Sequence, residues 1–153
     1  MILDPTEVSR RMDRFERVCR EAGSKITHQR IEIFREVAKS GDHPDVQTVY
    51  RRVRDRMPTV SLDTVYRTLW WLKELNLVNT LGPSRGRTRF DANLSNHHHF
   101  VCLHCGSTRD FNSDALDQLN IAETVQSIGS MEAIRLEVKG ICHNCAAVMN
   151  RPT

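Results

Sequence analysis

SLDTVYRTLWWLKELNLVNTLGPSRGRTRFD, residues 61–91, decides the fold. Ser61 is a helix-capping residue type, and Leu62, Val65, Leu69 and Leu72 follow at helical spacing and face inward. That leaves Asp63, Thr64, Tyr66, Arg67, Trp70 and Lys73 on the other faces. Two short β-prone runs come next, around a Gly-Pro-Ser turn, and carry Arg85, Arg87 and Arg89. A capped helix with a polar outer face, followed at once by a basic hairpin, is the order of a winged helix-turn-helix. In that arrangement the helix enters the major groove and the wing lies along phosphates or a minor groove. The alternative is a small helical bundle whose exposed arginines do nothing specific.

Upstream, three more helices are expected. The first begins near Thr6, has the apolar stripe Val8, Met12, Phe15, Cys19 and Ala22, and stops at Gly23. Thr27 caps the second, with Ile31, Phe34, Val37 and Ala38, which ends at Ser40 and Gly41. After the loop GDHP a third places Val46, Val49, Tyr50, Val53 and Met57 on one face, and Pro58 closes it. Of the 153 residues, those up to 91 hold 18 Lys/Arg against 13 Asp/Glu, a net of +5, and the rest hold 4 against 6. The charge therefore splits where a nucleic-acid-binding half would join a half with another job, although a basic face is also an ordinary solvated surface.

Downstream, Ser113 is expected to cap a helix with Leu116, Leu119, Ala122 and Val125. Ile134, Leu136 and Val138 alternate with Arg135, Glu137 and Lys139 as a half-buried strand. The fold class is thus α+β, with expected domains at residues 1–90 and 96–153 and a hinge at about 88–95. The second half is too small to stand without a metal, a partner chain, or both. With 39% hydrophobic and 27% charged residues the composition is that of a folded soluble protein. No apolar run is long enough for a membrane span and the first residues lack a signal-peptide core, so no membrane partner and a cytoplasmic location are expected.

Cys102 with Cys105 and Cys142 with Cys145 form two CxxC pairs after strand-like segments. Two such knuckles deliver four thiolates to a tetrahedron, the closed arrangement of structural Zn²⁺, and soft thiolates select zinc over hard cations. A thiol redox switch is the competing use, and a disulfide suits a reducing cytoplasm poorly. Cys19 belongs to the apolar stripe of the first helix and is given no role. His104 and His143 sit inside the knuckles, where a histidine ordinarily faces solvent.

A second donor cluster comprises His43, Asp91, His97, His98, His99 and Asp110. On an extended chain His97 and His99 share a face and His98 points away, a two-histidine clamp. Imidazole and carboxylate donors suit Fe²⁺ or Mn²⁺; zinc binds more tightly by intrinsic affinity, so availability decides. Taken singly, each residue also fits an exposed loop or a turn.

ITHQR at 26–30, HPDVQTVY at 43–50, SLDTVYRTL at 61–69, RFD at 89–91, HHHFVCLHCG at 97–106 and the late CHNC together resemble the ferric uptake regulator family over nearly the whole chain. The resemblance implies a winged-helix DNA-binding domain, a hinge and an α/β dimerisation domain, in a homodimer that binds a palindromic double-stranded DNA operator. It implies structural zinc on the two CxxC pairs. It also implies a regulatory metal held by His43, Asp91, His97, His99 and Asp110, tying the two halves together. Lys25, Thr64, Tyr66, Arg67, Arg85 and Arg87 are the expected DNA contacts.

The pairing of Asp91 with Asp110 looks like the peroxide-sensing branch, in which iron-driven oxidation of a ligand histidine releases metal and operator; His43 and His97 are the carried-over candidates. Iron-uptake regulators tend to have glutamate at these positions. MEAIR at 131–135 also lacks the late histidine that many of them use for a further site. Arg67 departs from this reading, since some peroxide sensors have asparagine there, and arginine favours guanine contacts. An iron-responsive uptake regulator is the alternative, with zinc or manganese sensing behind it. A metalloenzyme would need an open coordination position and a spare base. The acids here are used as ligands, so no enzyme is expected. A zinc-bound scaffold that never touches DNA would leave Tyr66 and Arg67 without consequence.

Overall fold

The computed structural model describes residues 3–84, 87–119, 121–131 and 134–149. The chain divides into two compact units, Met1–Leu94 and Ser95–Thr153.

The first unit contains α1 (Pro5–Glu21), α2 (His28–Lys39), α3 (Val46–Arg54), α4 (Leu62–Glu74) and the antiparallel hairpin of β1 (Asn79–Ser84) with β2 (Arg87–Asp91). Each helix starts at a side-chain cap: Asp4 accepts from the Thr6 amide, Thr27 from Arg30, Asp45 from Thr48 and Ser61 from Thr64. Every such cap satisfies an amide that has no partner within its helix, worth about 1 kcal/mol. Just past the C-cap of α1, Gly23 has a φ of 61° that lets the Ser24 amide fold back to the Cys19 carbonyl at 2.9 Å. Phe15, Cys19, Ile33, Phe34, Val37, Val49, Val53, Val65, Leu69, Leu72, Leu77 and Phe90 close into one apolar core. Phe15 stacks on Phe34 with ring centroids 4.9 Å apart.

Three sequence expectations shift here. Ala22 is the C-cap of α1 and lies exposed rather than in the stripe. Helix α3 ends at Arg54 with Asp55 as its C-cap, short of Met57, which still packs against the core and whose helical geometry Pro58 disfavours. Leu62 is 37% exposed at the first position of α4, ahead of the buried run Val65, Thr68, Leu69 and Leu72.

The second unit is a three-stranded sheet in the order β4-β3-β5, with β3 at His98–Cys102, β4 at Thr108–Phe111 and β5 at Glu137–Gly140. Strand β3 pairs antiparallel with β4 and parallel with β5. The crossover carries α5 (Asp114–Asp117) and α6 (Ala122–Gln126), and α7 (His143–Met149) follows β5. The single helix expected from Ser113 is thus two short ones, and Ser113 makes no side-chain cap bond. Asp117 at the end of α5 is tied instead to Asn96 at 2.7 Å. The expected strand from Ile134 begins only at Glu137, and its Val138 is exposed. Ile128 (85% exposed), Val148 and Met149 are also uncovered within this unit, which buries few apolar side chains of its own.

Candidate metal centres

The four paired cysteines meet because β3 and β5 run side by side with Cys102 opposite Gly140. Cys102 ends β3, Cys105 lies in the turn after it, Cys142 follows β5 and Cys145 lies in the first turn of α7. Gly106, with a φ of 73°, closes the first knuckle by donating its amide to the Cys102 carbonyl at 2.9 Å. All four sulfurs lie within 4.8 Å of one another, and Cys105 Sγ is 3.8 Å from Cys142 Sγ. The sulfurs of a tetrahedral zinc thiolate stand roughly 3.8 Å apart, so the donor set fits zinc.

The electrostatics follow from that crowding. Backbone amides of Cys105 and Cys142 point at Cys102, the latter at 3.3 Å, and hold its thiol down to about 5. The Ser107 hydroxyl and amide lower Cys105. Cys145, beside the Cys142 thiol and desolvated, is pushed up to about 12. Four sulfurs this close cannot all ionise unaided; a bound dication removes the repulsion.

The histidine and carboxylate donors occur as two groups, one in each unit. In the first, His43 and Asp91 are both buried, with His43 Nδ1 3.5 Å from Asp91 Oδ1. Asp91 is the last residue of β2 and also accepts from the Asn93 amide at 2.7 Å. His43 has a left-handed backbone, φ 48°, immediately before Pro44.

In the second, the β3–β4 register sets His99 directly opposite Asp110. His97, two residues earlier, brings its Nε2 to 2.9 Å from His99 Nε2, and these nitrogens lie 3.6 and 3.5 Å from Asp110 Oδ1. The opposite nitrogen of His97, Nδ1, is 2.8 Å from the Ser95 carbonyl. Donation there fixes the tautomer that leaves Nε2 a lone pair, the orientation typical of a ligating imidazole. His98 faces elsewhere: its Nδ1 accepts from the Leu136 amide at 3.3 Å and its Nε2 is 3.2 Å from Asp117.

Tyr66 and Arg67 project from α4, 51% and 78% exposed, and Arg67 pairs with Asp63 one turn back at 2.9 Å. Thr64 lies beside the Ser61 hydroxyl at 2.8 Å. Lys25 is exposed, and its carbonyl accepts from Arg30 at 2.6 Å. Arg87 pairs with Asp45 at 3.1 Å; Arg85 lies outside the described residues. His104 and His143 are exposed.

The profile of the Ferric uptake regulator family matches residues 21–139. The chain belongs to the ferric uptake regulator family. As a member it is a metal-dependent transcriptional regulator and not an enzyme. It is 32% identical over 128 residues to the peroxide-responsive repressor PerR of Staphylococcus epidermidis, covering 82% of this chain and 84% of that one. A manganese uptake regulator with zinc bound is 29% identical, with a TM-score of 0.69 over 83% of this chain and 97% of that one. The Helicobacter pylori ferric uptake regulator shares the fold at a TM-score of 0.75 and 22% identity, over 95% and 97% of the two chains. Among the described residues no helix is long and apolar enough to cross a membrane.

The motifs include Arg89 but give no sign that it, with Arg52, surrounds His43. Arg89, grouped by sequence with the wing, donates to the carbonyls of Asp42 and His43 at 3.2 and 3.4 Å. Arg52 of α3 holds the Asp42 carboxylate at 2.7 Å. The ten-residue gap between Arg52 and Asp42 carries no local pattern, so no sequence signal announces that pair.

Proposed function

We propose that the protein is a cytoplasmic homodimeric repressor that binds a palindromic DNA operator when a regulatory Fe²⁺ or Mn²⁺ ion is held by His43, Asp91, His97, His99 and Asp110, and that peroxide releases it. The observation that carries this reading is the donor chemistry. Three buried imidazoles and two carboxylates, Asp91 buried and Asp110 open to solvent, are gathered as a pair in one unit and a trio in the other and form a set distinct from the sulfur site. Likeness to a peroxide-responsive repressor and aspartate at both acidic positions support the branch.

Each residue has a task in this account. His43 and Asp91 bring donors from the winged-helix domain and its hinge, and His97, His99 and Asp110 bring donors from the dimerisation domain. Shared ligation biases the hinge toward the geometry in which two α4 helices match two half-sites, and by linkage DNA then tightens the metal. Tyr66, Arg67 and Thr64 read bases, and Lys25, Arg85 and Arg87 contact the backbone or minor groove. Ferrous iron held there would catalyse reduction of peroxide beside the imidazoles: one peroxide oxygen would enter a ring C–H of His43 or His97, the other would leave as water, and the two electrons would come from the imidazole. The oxidised ring would be a weaker donor, and the operator would be released. The four cysteines hold the structural zinc throughout.

The second reading is an iron-responsive uptake regulator, favoured by Arg67 on the exposed face of α4. One experiment separates the two. The zinc-containing protein is loaded anaerobically with Fe²⁺, treated with near-stoichiometric peroxide, and its peptides are analysed by mass spectrometry. One added oxygen on the peptide holding His43 or His97, absent with Mn²⁺, is the expected result. Unmodified histidines with iron-dependent DNA binding would establish the iron regulator instead.

A further inference from the structure

We propose that Arg89 is a positioning residue for the metal-binding histidine, an inference that rests on the reading of His43 as a ligand. Left-handed backbone is unfavourable for any residue with a Cβ, and a following proline narrows the choice further. His43, at φ 48° before Pro44, meets both conditions while buried. Such a conformation persists only where the surroundings over-determine it.

They do so from two sides. On one, β2 grips the loop: the Arg89 guanidinium donates to the carbonyls on either side of the His43 amide, those of Asp42 and His43, and the Phe90 amide donates to the Pro44 carbonyl at 3.1 Å. Asp45 completes the seam as an isolated bridge partner of Arg89. On the other side Arg52 of α3 holds both Asp42 carboxylate oxygens, at 3.3 and 2.7 Å. The same β2 ends in Asp91, whose carboxylate lies 3.5 Å from His43 Nδ1. One strand thus supplies the second donor of the pair and fixes the backbone of the first. Both bonds leave one guanidinium nitrogen, Nη1, which the planar group carries one bond further along the side chain than a lysine ammonium, so lysine reaches the two carbonyls less well.

Charge and geometry predict opposite signs. Removing a cation near a metal site strengthens cation binding through Coulomb's law, whereas releasing His43 from its clamp weakens it. Mn²⁺ affinity is therefore measured on the zinc-containing full chain by electron paramagnetic resonance of the free ion, for the wild type, His43→Ala, Arg89→Gln and Arg89→Lys. Backbone carbon shifts of His43 are recorded before Mn²⁺ is added. The expected result is a loss of about tenfold for Arg89→Gln, the lower end for groups that orient a ligand. His43 shifts should leave the left-handed range, with Arg89→Lys intermediate and His43→Ala weaker still. Wild-type or tighter Mn²⁺ binding by Arg89→Gln, with His43→Ala weakened, would overturn the positioning role. Wild-type affinity in His43→Ala would overturn the ligand reading and the clamp with it. If Arg89→Gln does not fold, Arg89→Lys carries the test: it keeps the charge, and wild-type affinity and shifts would sink the proposal.

Discussion

Up to Leu94 the largest fully buried side chains are mostly apolar, Phe15, Ile33, Phe34, Leu69, Leu72, Leu77 and Phe90, beside His43 and Glu36; beyond Ser95 the buried ones are led by His97, His98, Cys102 and Thr108. The first unit is held by apolar packing around capped helices, and a buried Leu or Phe contributes about 1.5–3 kcal/mol there. The second has a short sheet, and its apolar groups Ile128, Val138 and Val148 remain open, so its order is expected to depend on what its donor atoms and exposed apolar faces bind. On the proposed function such a division suits a regulator, in which the unit that meets DNA keeps its shape while the second depends on bound metal.

Removing zinc should break the comparison most strongly. Structural zinc contributes roughly 10–16 kcal/mol in small zinc domains. Stripping it with a strong chelator, or replacing Cys102 with Ser, should abolish amide-exchange protection in β3–β5 while α1–α4 stay protected. Retained protection in the sheet would mean that the second unit has a core of its own. The converse change is Leu69→Ala, which should cost about 2–5 kcal/mol in chemical denaturation of the first unit. Zinc content should not change.

Function should be separable from both cores. Arg67→Ala is expected to weaken operator binding by about 1–3 kcal/mol in a titration, with zinc and dimer intact. Unchanged binding would move the recognition surface off α4. The smallest effect concerns acid. Burial alone would raise Asp42, but hydrogen bonds and charge from Arg52 outweigh it and hold its carboxyl below the usual value of 3.8. A lowered folded-state pKa stabilises above the unfolded value and is lost as pH falls through the folded one. Asp42→Asn should therefore flatten the decline in stability of the first unit below pH 3.8. With Asp42 partly exposed and screened, the difference should stay under about 1 kcal/mol.

The winged-helix half is legible because its signals are local. Thr27 and Ser61 cap the helices they announce, and Val65, Leu69 and Leu72 keep helical spacing around a real core. The CxxC pairs are legible for the same reason, since each knuckle places two sulfurs within four residues. Where tertiary contacts govern, local patterns mislead. The apolar repeat after Ser113 predicts one helix, yet α5 stops at Asp117, whose carboxylate accepts from distant Asn96. Val138 alternates like a half-buried residue but lies uncovered in a single chain. The grip on His43 is illegible because Arg89, though part of the RFD motif, lies 46 residues away and bonds to backbone carbonyls, which leave no mark in the residue types of the loop.

The most direct test of the central claim is the affinity of the zinc-containing protein for a palindromic operator, selected from random-sequence DNA, as Mn²⁺ is raised. The account predicts a gain of about 5–150-fold for the wild type, lost in His43→Ala and in His99→Ala while zinc content and dimer remain. An equal gain in both variants, or wild-type binding indifferent to Mn²⁺, would contradict it.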